Sequence, residues 1–465
     1  MSQLDSHLEE NASRHEERLM ELLRIASVSA DSAHAGDVQR AADWVAALLS
    51  EGTQLQVETI PTAGHPLVYA ESPAVEGKPV VLIYGHYDVQ PPDPLDEWLT
   101  PPFEPTVRNG AVYARGATDD KGQMLTHLLS TLAVLEVEGE LPLQLKILIE
   151  GEEEVGSENL EKYVAENQDK LACDCVVISD SSQFAPGVPA VTYGLRGIAY
   201  YEVRLQGPKQ DLHSGTFGGG VTNPANTLAK LLAALVDGEG RIQVPGFYDD
   251  VAELTERERE EFAGLPFDEA KFKKQLGVDG LTGEAGYSTL ERRWARPTCD
   301  INGLWSGYQG EGAKTVLPAK AGAKFSFRLV PDQDPAKVTA GLRQLFEPLL
   351  PPGIEMELID FHGAPGVVFP LESPAMEAAA TAIEHGFGSR PVFIREGGSI
   401  PIVNRFAKEL NCEVLLLGWG LDDDNTHSPN EKFNLGDFHR GIRSSAALWQ
   451  QLSECGIRSA ECGAT

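Results

Sequence analysis

Apolar positions along the first 200 residues follow two alternating rhythms. Residues 14–26 (RHEERLMELLRIA) and 37–51 (DVQRAADWVAALLSE) repeat their apolar side chains at helical spacing, and KGQMLTHLLSTLAVLEV at 121–137 does the same. Between them fall short, continuously apolar, β-prone runs: PVVLIYGHYDV (79–89), LQLKILIE (143–150) and CVVISD (175–180). A strand without polar alternation is buried on both faces. Such strands, alternating with helices, predict an α/β fold with a mainly parallel central sheet covered on each side.

The rhythm changes near residue 197. GIAYYEVRLQG (197–207) alternates apolar and polar positions, as a half-exposed strand does, and NPANTLAKLLAALV (223–236) reads as a helix. KAGAKFSFRLV (320–330) alternates again and is followed by a helical pattern, PAKVTAGLRQLFEPLL (335–350). The stretch 246–296 is polar, acidic and helix-prone, with few apolar stripes. This βα…βα arrangement predicts a separate α+β domain over 197–365. After that the first style returns, with a helix at 374–386, a strand at 413–420 and a helix at 438–454. Residues 1–196 and 366–465 are therefore expected to form two parts of one domain that the 197–365 domain interrupts. There is no internal repeat or low-complexity tract.

Composition narrows the possible functions. Of 465 residues, 42% are hydrophobic and 23% charged, enough apolar material for a sizeable core. Lys plus Arg is 38 against 70 for Asp plus Glu, a formal charge of −32. That charge repels phosphate backbones and anionic lipid, so neither nucleic acid nor a membrane surface is the expected partner. No apolar run approaches the roughly 18 residues of a membrane helix. The N-terminal stretch is acidic and helical in pattern, unlike a secretory signal. Six cysteines in so long a chain argue against a disulfide framework, and Cys173 and Cys175 have no second pair at zinc-site spacing. A reducing, cytoplasmic location is expected.

Candidate chemistry lies at the ends of the apolar strands, where α/β sheets gather their ligands. His86 and Asp88 follow VVLIYG, Glu152–Glu154 follow LQLKILIE, Asp180 ends CVVISD, and His427 follows EVLLLGWG. Asp119 precedes the helix that opens near Lys121. Imidazole nitrogens together with hard carboxylate oxygens suit zinc, with manganese or cobalt as rivals. Period two places His86 and Asp88 on one face, where the carboxylate can accept the second ring N–H of a metal-bound histidine. An acidic triplet is most often a solvated turn, but this one interrupts a buried strand. Three further segments suit contact with small molecules. DLHSGTFGGG (211–220) carries His213 in a glycine-rich loop. The turn REGGSIP (395–401) has the makings of an anion-binding nest. Arg328, flanked by apolar residues in FSFRLVP, can clamp a carboxylate or form an ordinary strand-face ion pair.

Taken together, GHYDVQP (85–91), ARGATDDKG (114–122), EGEEEVGS (150–157), VISD (177–180), DLHSGTFGG (211–219), GAKTVLP (312–318), REGGSIP (395–401) and HSPNEK (427–432) resemble the M20 metallopeptidases, in their carnosinase-like and cytosolic nonspecific dipeptidase branch. The motifs occur in the family's order and span nearly the whole chain. The resemblance implies a zinc-peptidase-like catalytic domain interrupted by an inserted lid and dimerisation domain. It implies two Zn2+ per subunit, with Mn2+ or Co2+ as alternatives. His86 and Asp180 are then ligands of one ion, Glu154 and His427 of the other, and the Asp119 carboxylate bridges both; the Asp119–Asp120 peptide is often cis in relatives. Glu153 matches the general base, and Asp88 the acid behind His86. His213 matches a lid histidine that reaches the partner's site in a homodimer. Arg328, Gly397, Gly398 and Ser399 match contacts to the substrate carboxylate.

The activity so implied is hydrolysis of dipeptides or short peptides with a free C-terminal carboxylate. Acting as an N-acyl-amino-acid amidohydrolase or a carboxypeptidase is the alternative on the same scaffold. A non-catalytic peptide-binding protein is a further alternative, against which the intact Glu153 argues.

Overall fold

Continuous burial of the apolar runs is what assembles the sheet. The computed structural model describes residues 2–398 and 400–457. In it, strands Gln144–Glu150, Val80–His86, Cys175–Ile178 and Glu413–Gly418 lie side by side and parallel, in that order. Leu82, Ile83, Leu145, Ile147, Val176, Val177 and Leu415 in these strands are all fully buried. Antiparallel strands extend the sheet on both sides: Leu67–Glu71 and then Gln56–Ile60 beyond Gln144–Glu150, and Ala190–Leu195 beyond Glu413–Gly418. The centre is parallel, as the alternation predicts, and the sheet as a whole is mixed.

Helix Lys121–Glu138 is buried along most of its length, and Gly139, at φ 82°, ends it in the left-handed conformation that glycine tolerates. Helix Leu435–Glu454 packs against it and against Pro374–Phe387. Lys146 interrupts an otherwise apolar strand, but its Nζ donates to the carbonyls of Lys170 and Ala172, each at 2.7 Å.

The chain divides into two compact units, the first made of residues 1–193, 369–394 and 405–465, the second of 194–368 and 395–404. The second is built on a four-stranded antiparallel sheet in the order Thr298–Ser306, Lys320–Leu329, Gly197–Gln206, Glu355–Ala364. Tyr201, Val203, Phe325 and Phe327 from the two central strands form one core with Leu228 and Leu231 of helix Pro224–Ala233 and Leu342 and Phe346 of helix Pro335–Phe346. The acidic 246–296 stretch holds three short helices, Glu256–Gly264, Glu269–Leu276 and Thr289–Trp294. Its acids are put to local use. Glu258 and Glu291 complete capping boxes with Thr255 and Ser288, and Glu284 pairs through both oxygens with the buried Arg296.

Cys173, Cys175, Cys299, Cys412 and Cys455 are free thiols; Cys462 lies outside the described residues. Among the described residues no helix is long and apolar enough to cross a membrane.

Candidate metal centre

Three parallel strands end within one site in the first unit. Strand Val80–His86 delivers His86 at its last residue, fully buried. Strand Gln144–Glu150 runs into the 3-10 turn Glu153–Val155. Asp180 follows strand Cys175–Ile178 by two residues. The ligand-capable atoms of His86, Asp119 and Asp180 lie within 4.8 Å of one another, and so do those of Asp119, Glu154 and His427. Asp119 belongs to both groups. Its Oδ1 is 3.2 Å from His86 Nε2 and its Oδ2 is 2.9 Å from His427 Nε2. The Asp119–Asp120 peptide is cis.

These donors fit a pair of cations. The buried His86 Nε2 has no hydrogen-bond partner, and neither does Glu154 Oε1, which gives one orphaned donor atom in each group. A buried polar atom left unpaired is costly, and a bound cation removes that cost. His427 has φ 59°, the left-handed region that a residue with a side chain seldom enters, as expected where a site over-determines the backbone.

The protonation equilibria reflect the crowding of acids. Burial alone would lower the pKa of His86, but Asp119, Asp88 and Glu153 hold it well above the usual range. Asp119 and Glu154 push His427 up to about 10. Burial would raise Asp119, yet the imidazoles of His427 and His86 beside it hold it below the usual carboxylate range. Asp180 is raised by burial and by the charges of Asp119 and Asp120. Burial pushes Glu153 up to about 7; His86 opposes, and Glu154, Asp119 and Asp88 reinforce. A carboxyl near neutrality can both accept and return a proton, and nearby cations would draw it lower.

Asp88 does more than the sequence suggests. Its Oδ1 accepts from Glu153 N–H at 3.3 Å and its Oδ2 from Glu154 N–H at 3.2 Å, so one buried carboxylate fixes the turn carrying both glutamates. The strand ends at His86, so Asp88 is placed by the following loop rather than by strand alternation. His86 Nδ1 stands 3.1 Å from the Asp88 carbonyl oxygen and 3.3 Å from Oδ1. Either contact fixes the ring so that Nε2 faces Asp119.

Glu431 supports the candidate site in a way that the strand ends do not signal. Fully buried, it accepts from Arg115 Nη1 (2.7 Å) and from the backbone N–H groups of Gly116 (2.9 Å), Thr118 (3.0 Å) and Asp119 (3.1 Å). It thereby ties the loop of Asp119 to the segment of His427. Its signal was the acid inside HSPNEK. Gln90, which donates to Glu154 Oε2 at 2.7 Å, was likewise inside GHYDVQP.

The remaining candidates belong to the second unit. His213 is exposed and pairs with Val316 across a two-stranded ladder, which sets DLHSG against GAKTVLP; its Nδ1 accepts from Gly215 N–H at 3.1 Å. Arg328 is half-buried on strand Lys320–Leu329, and burial lowers its pKa. Gly397 has no room for a side chain: a Cβ there would lie 2.9 Å from the Arg293 carbonyl oxygen. Gly398 faces open space. Ser399 lies outside the described residues.

Two imidazoles and three carboxylates, Asp119 shared between two groups that could each hold a cation, gathered at the strand ends of an α/β sheet, are the makings of a metal-dependent enzyme. The sequence matches the model of Peptidase family M20/M25/M40 over residues 82–451. The chain belongs to this family. It is 36% identical over 454 residues to the Cys-Gly metallodipeptidase of Schizosaccharomyces pombe, covering 94% of this chain and 95% of that one. It is 35% identical over 441 residues to human Beta-Ala-His dipeptidase, covering 93% and 85%. Among solved structures, an M20 family metallo-carboxypeptidase from Sulfolobus solfataricus superposes with a TM-score of 0.84 at 34% identity, covering 94% of this chain and 99% of that one.

Proposed function

We propose that the protein hydrolyses the peptide bond of dipeptides or short peptides with a free C-terminal carboxylate, using two zinc ions, or manganese or cobalt in their place. The observation that carries this reading is the double use of Asp119, one oxygen toward His86 and the other toward His427. His86 and Asp180 would hold one ion, Glu154 and His427 the other, and Asp119 both. Bound there, the pair supplies a polarised carbonyl and a water acidic enough to lose its proton near neutrality.

The chain's own residues do the rest. Glu153, held beside the site by Asp88, accepts the water proton and returns it to the leaving amine. Asp88 keeps the His86 ring in place. Arg328 and the 395–398 turn take the substrate carboxylate, which excludes peptides blocked at that end. His213 acts in the partner's site of a homodimer, donating to the developing oxyanion. The exposure of Ile301, Leu304 and Trp305 on edge strand Thr298–Ser306 supports such an assembly, since apolar groups on an unpaired edge invite a second copy.

Glu153→Gln tests the base. The variant should keep its metal and lose nearly all turnover; near-normal rates would overturn the assignment. His213→Ala should be inactive with full metal content. A mixed dimer of His213→Ala and Glu153→Gln chains should recover activity if the histidine acts in trans, and no recovery would rule that out.

Carboxypeptidase action is the second reading, supported by the likeness to the Sulfolobus metallo-carboxypeptidase. A peptide panel of increasing length, with free or acylated N-termini, separates the two. Dipeptidase action requires the short, unblocked members.

A further inference from the structure

Arg196 lies outside the motifs that flag the site, yet the structure sets it between two of them. The antiparallel register of Gly197–Gln206 with Lys320–Leu329 places Ile198 opposite Arg328. Arg196 stands one residue before that strand, next to Gly197, which pairs with Leu329, so its backbone lies diagonally close to that of Arg328. Diagonal neighbours about 7–8 Å apart at Cα are within reach of two long side chains. The charges agree: the pKa of Arg196 is pushed down to about 10, first by burial and next by Arg328. Asp300 is an acid felt at both guanidinium groups.

Arg196 is also fastened to the 395–398 turn. Its backbone N–H donates to Glu396 O at 3.2 Å and its Nε to Gly397 O at 3.4 Å, while Nη1 donates to Arg296 O at 3.3 Å. A Cβ on Gly397 would lie 2.7 Å from Nη2, so the guanidinium packs directly on the glycine. A lysine cannot reproduce this, because a single ammonium lacks the planar fork that reaches two separate carbonyls.

Two arginines side by side in a partly desolvated place repel each other. A carboxylate arriving between them relieves that repulsion and gains charge-assisted hydrogen bonds. We propose that Arg196 and Arg328 form a two-guanidinium cradle for the substrate's C-terminal carboxylate, Arg196 also positioning the Gly397 turn. This rests on the reading that Arg328 and the turn contact that carboxylate.

The test measures kcat and KM of the metal-loaded enzyme on one dipeptide and on its C-terminal amide, for wild type, Arg196→Lys, Arg196→Met, Arg328→Met and the double Met variant. Wild type should favour the free acid strongly. Arg196→Lys should raise KM for the free acid about 10-fold or more, the scale of one lost charge-assisted pair. It should leave kcat nearly unchanged and barely affect the amide. The double variant should lose less than the product of the singles.

Indifference of the wild type to amidation would sink the carboxylate reading itself. Amidation that matters in wild type, with Arg196→Lys keeping the preference or losing acid and amide alike, would overturn this inference alone. Asp300→Asn, an exposed change independent of how Arg196 variants fold, should tighten inhibition by a product amino acid severalfold and leave inhibition by its amide unchanged. No change with the free amino acid would count against the cradle.

Discussion

Replacing Glu431 by Gln tests how the shared aspartate is held. The carboxylate is fully buried, and its partner Arg115 is 1% exposed. Oε2 accepts from Arg115 Nη1 and Gly116 N–H, and Oε1 from Thr118 and Asp119 N–H. An amide keeps the shape but one acceptor only, so its NH2 must face two N–H donors whichever way it turns. Two orphaned donors cost about 1–3 kcal/mol each. Removing one partner of a buried ion pair costs about 3–5 kcal/mol. The two terms overlap, because Arg115 is counted in both, so the expected loss is about 3–5 kcal/mol, a large part of a typical stability of about 5–15 kcal/mol. Urea unfolding of the metal-free protein measures the loss directly. Titration with zinc measures the second effect, a fall in affinity of about 10-fold or more as Asp119 loosens. A loss under about 1 kcal/mol with unchanged zinc affinity would refute the argument that this carboxylate holds the loop. An exposed control such as Glu138→Gln should change neither.

Three other outcomes follow from the same structure. His15 is buried and its pKa is pushed down to about 4, by burial first and then by His439 and His7. An unfolded histidine titrates near 6.5, so the unfolded chain binds the extra proton between pH 6.5 and 4. Stability from this group is complete above 6.5 and falls with pH, by about 2 kcal/mol at pH 5; His15→Leu should flatten the measured slope over that window by nearly one proton. Gly122→Ala should cost about 3 kcal/mol or more in unfolding experiments, because a Cβ there would lie 2.0 Å from the Ala117 carbonyl oxygen; a variant as stable as wild type would contradict that packing. Asp88→Asn loses an acceptor for the Glu153–Glu154 turn, so kcat should fall about 10–100-fold with the fold intact by circular dichroism; unchanged kcat would deny Asp88 its role.

Most of this candidate site was visible in the chain because groups able to hold a metal gather, in an α/β sheet, where buried strands stop, and burial is what periodicity reports. LQLKILIE and CVVISD read as strands, and Gln144–Glu150 and Cys175–Ile178 are strands whose following residues bring acids to the site. Helix 121–137 is observed as Lys121–Glu138, and 374–386 as Pro374–Phe387. The outer strands were less legible. Gln56–Ile60 has one partner strand and is largely exposed, so it lacks a continuous apolar signal. Ala190–Leu195 is buried throughout, yet its run AVTYGL contains Thr192 and Gly194, which blur the apolar pattern. Neither Glu431 nor Arg196 could be found from periodicity, although Glu431 lies inside the HSPNEK motif. Each works through hydrogen bonds to residues distant in sequence, and a single charged side chain carries no period.

The same physics connects the candidate metal site to folding. Asp119, Glu153, Glu154 and Asp180 crowd four partly buried acids around one fully buried imidazole, His86, and one exposed one, His427. Without cations such a cluster opposes its own ionisation, as the raised Asp180 and Glu153 show. Residues outside the ligand set therefore have to hold it in place. Asp88 does so for the glutamate turn and Glu431 for the aspartate loop, each by spending a buried carboxylate on backbone N–H groups. Cations that bind the folded chain only would stabilise it by mass action. The gain should be greatest in wild type and shrink in Glu431→Gln and Asp88→Asn, whose ligands are no longer held in register. Melting curves with and without zinc decide this. An equal zinc-induced rise in Tm across the three proteins would mean that the ligands organise themselves around the ions and that the supporting carboxylates serve the fold alone.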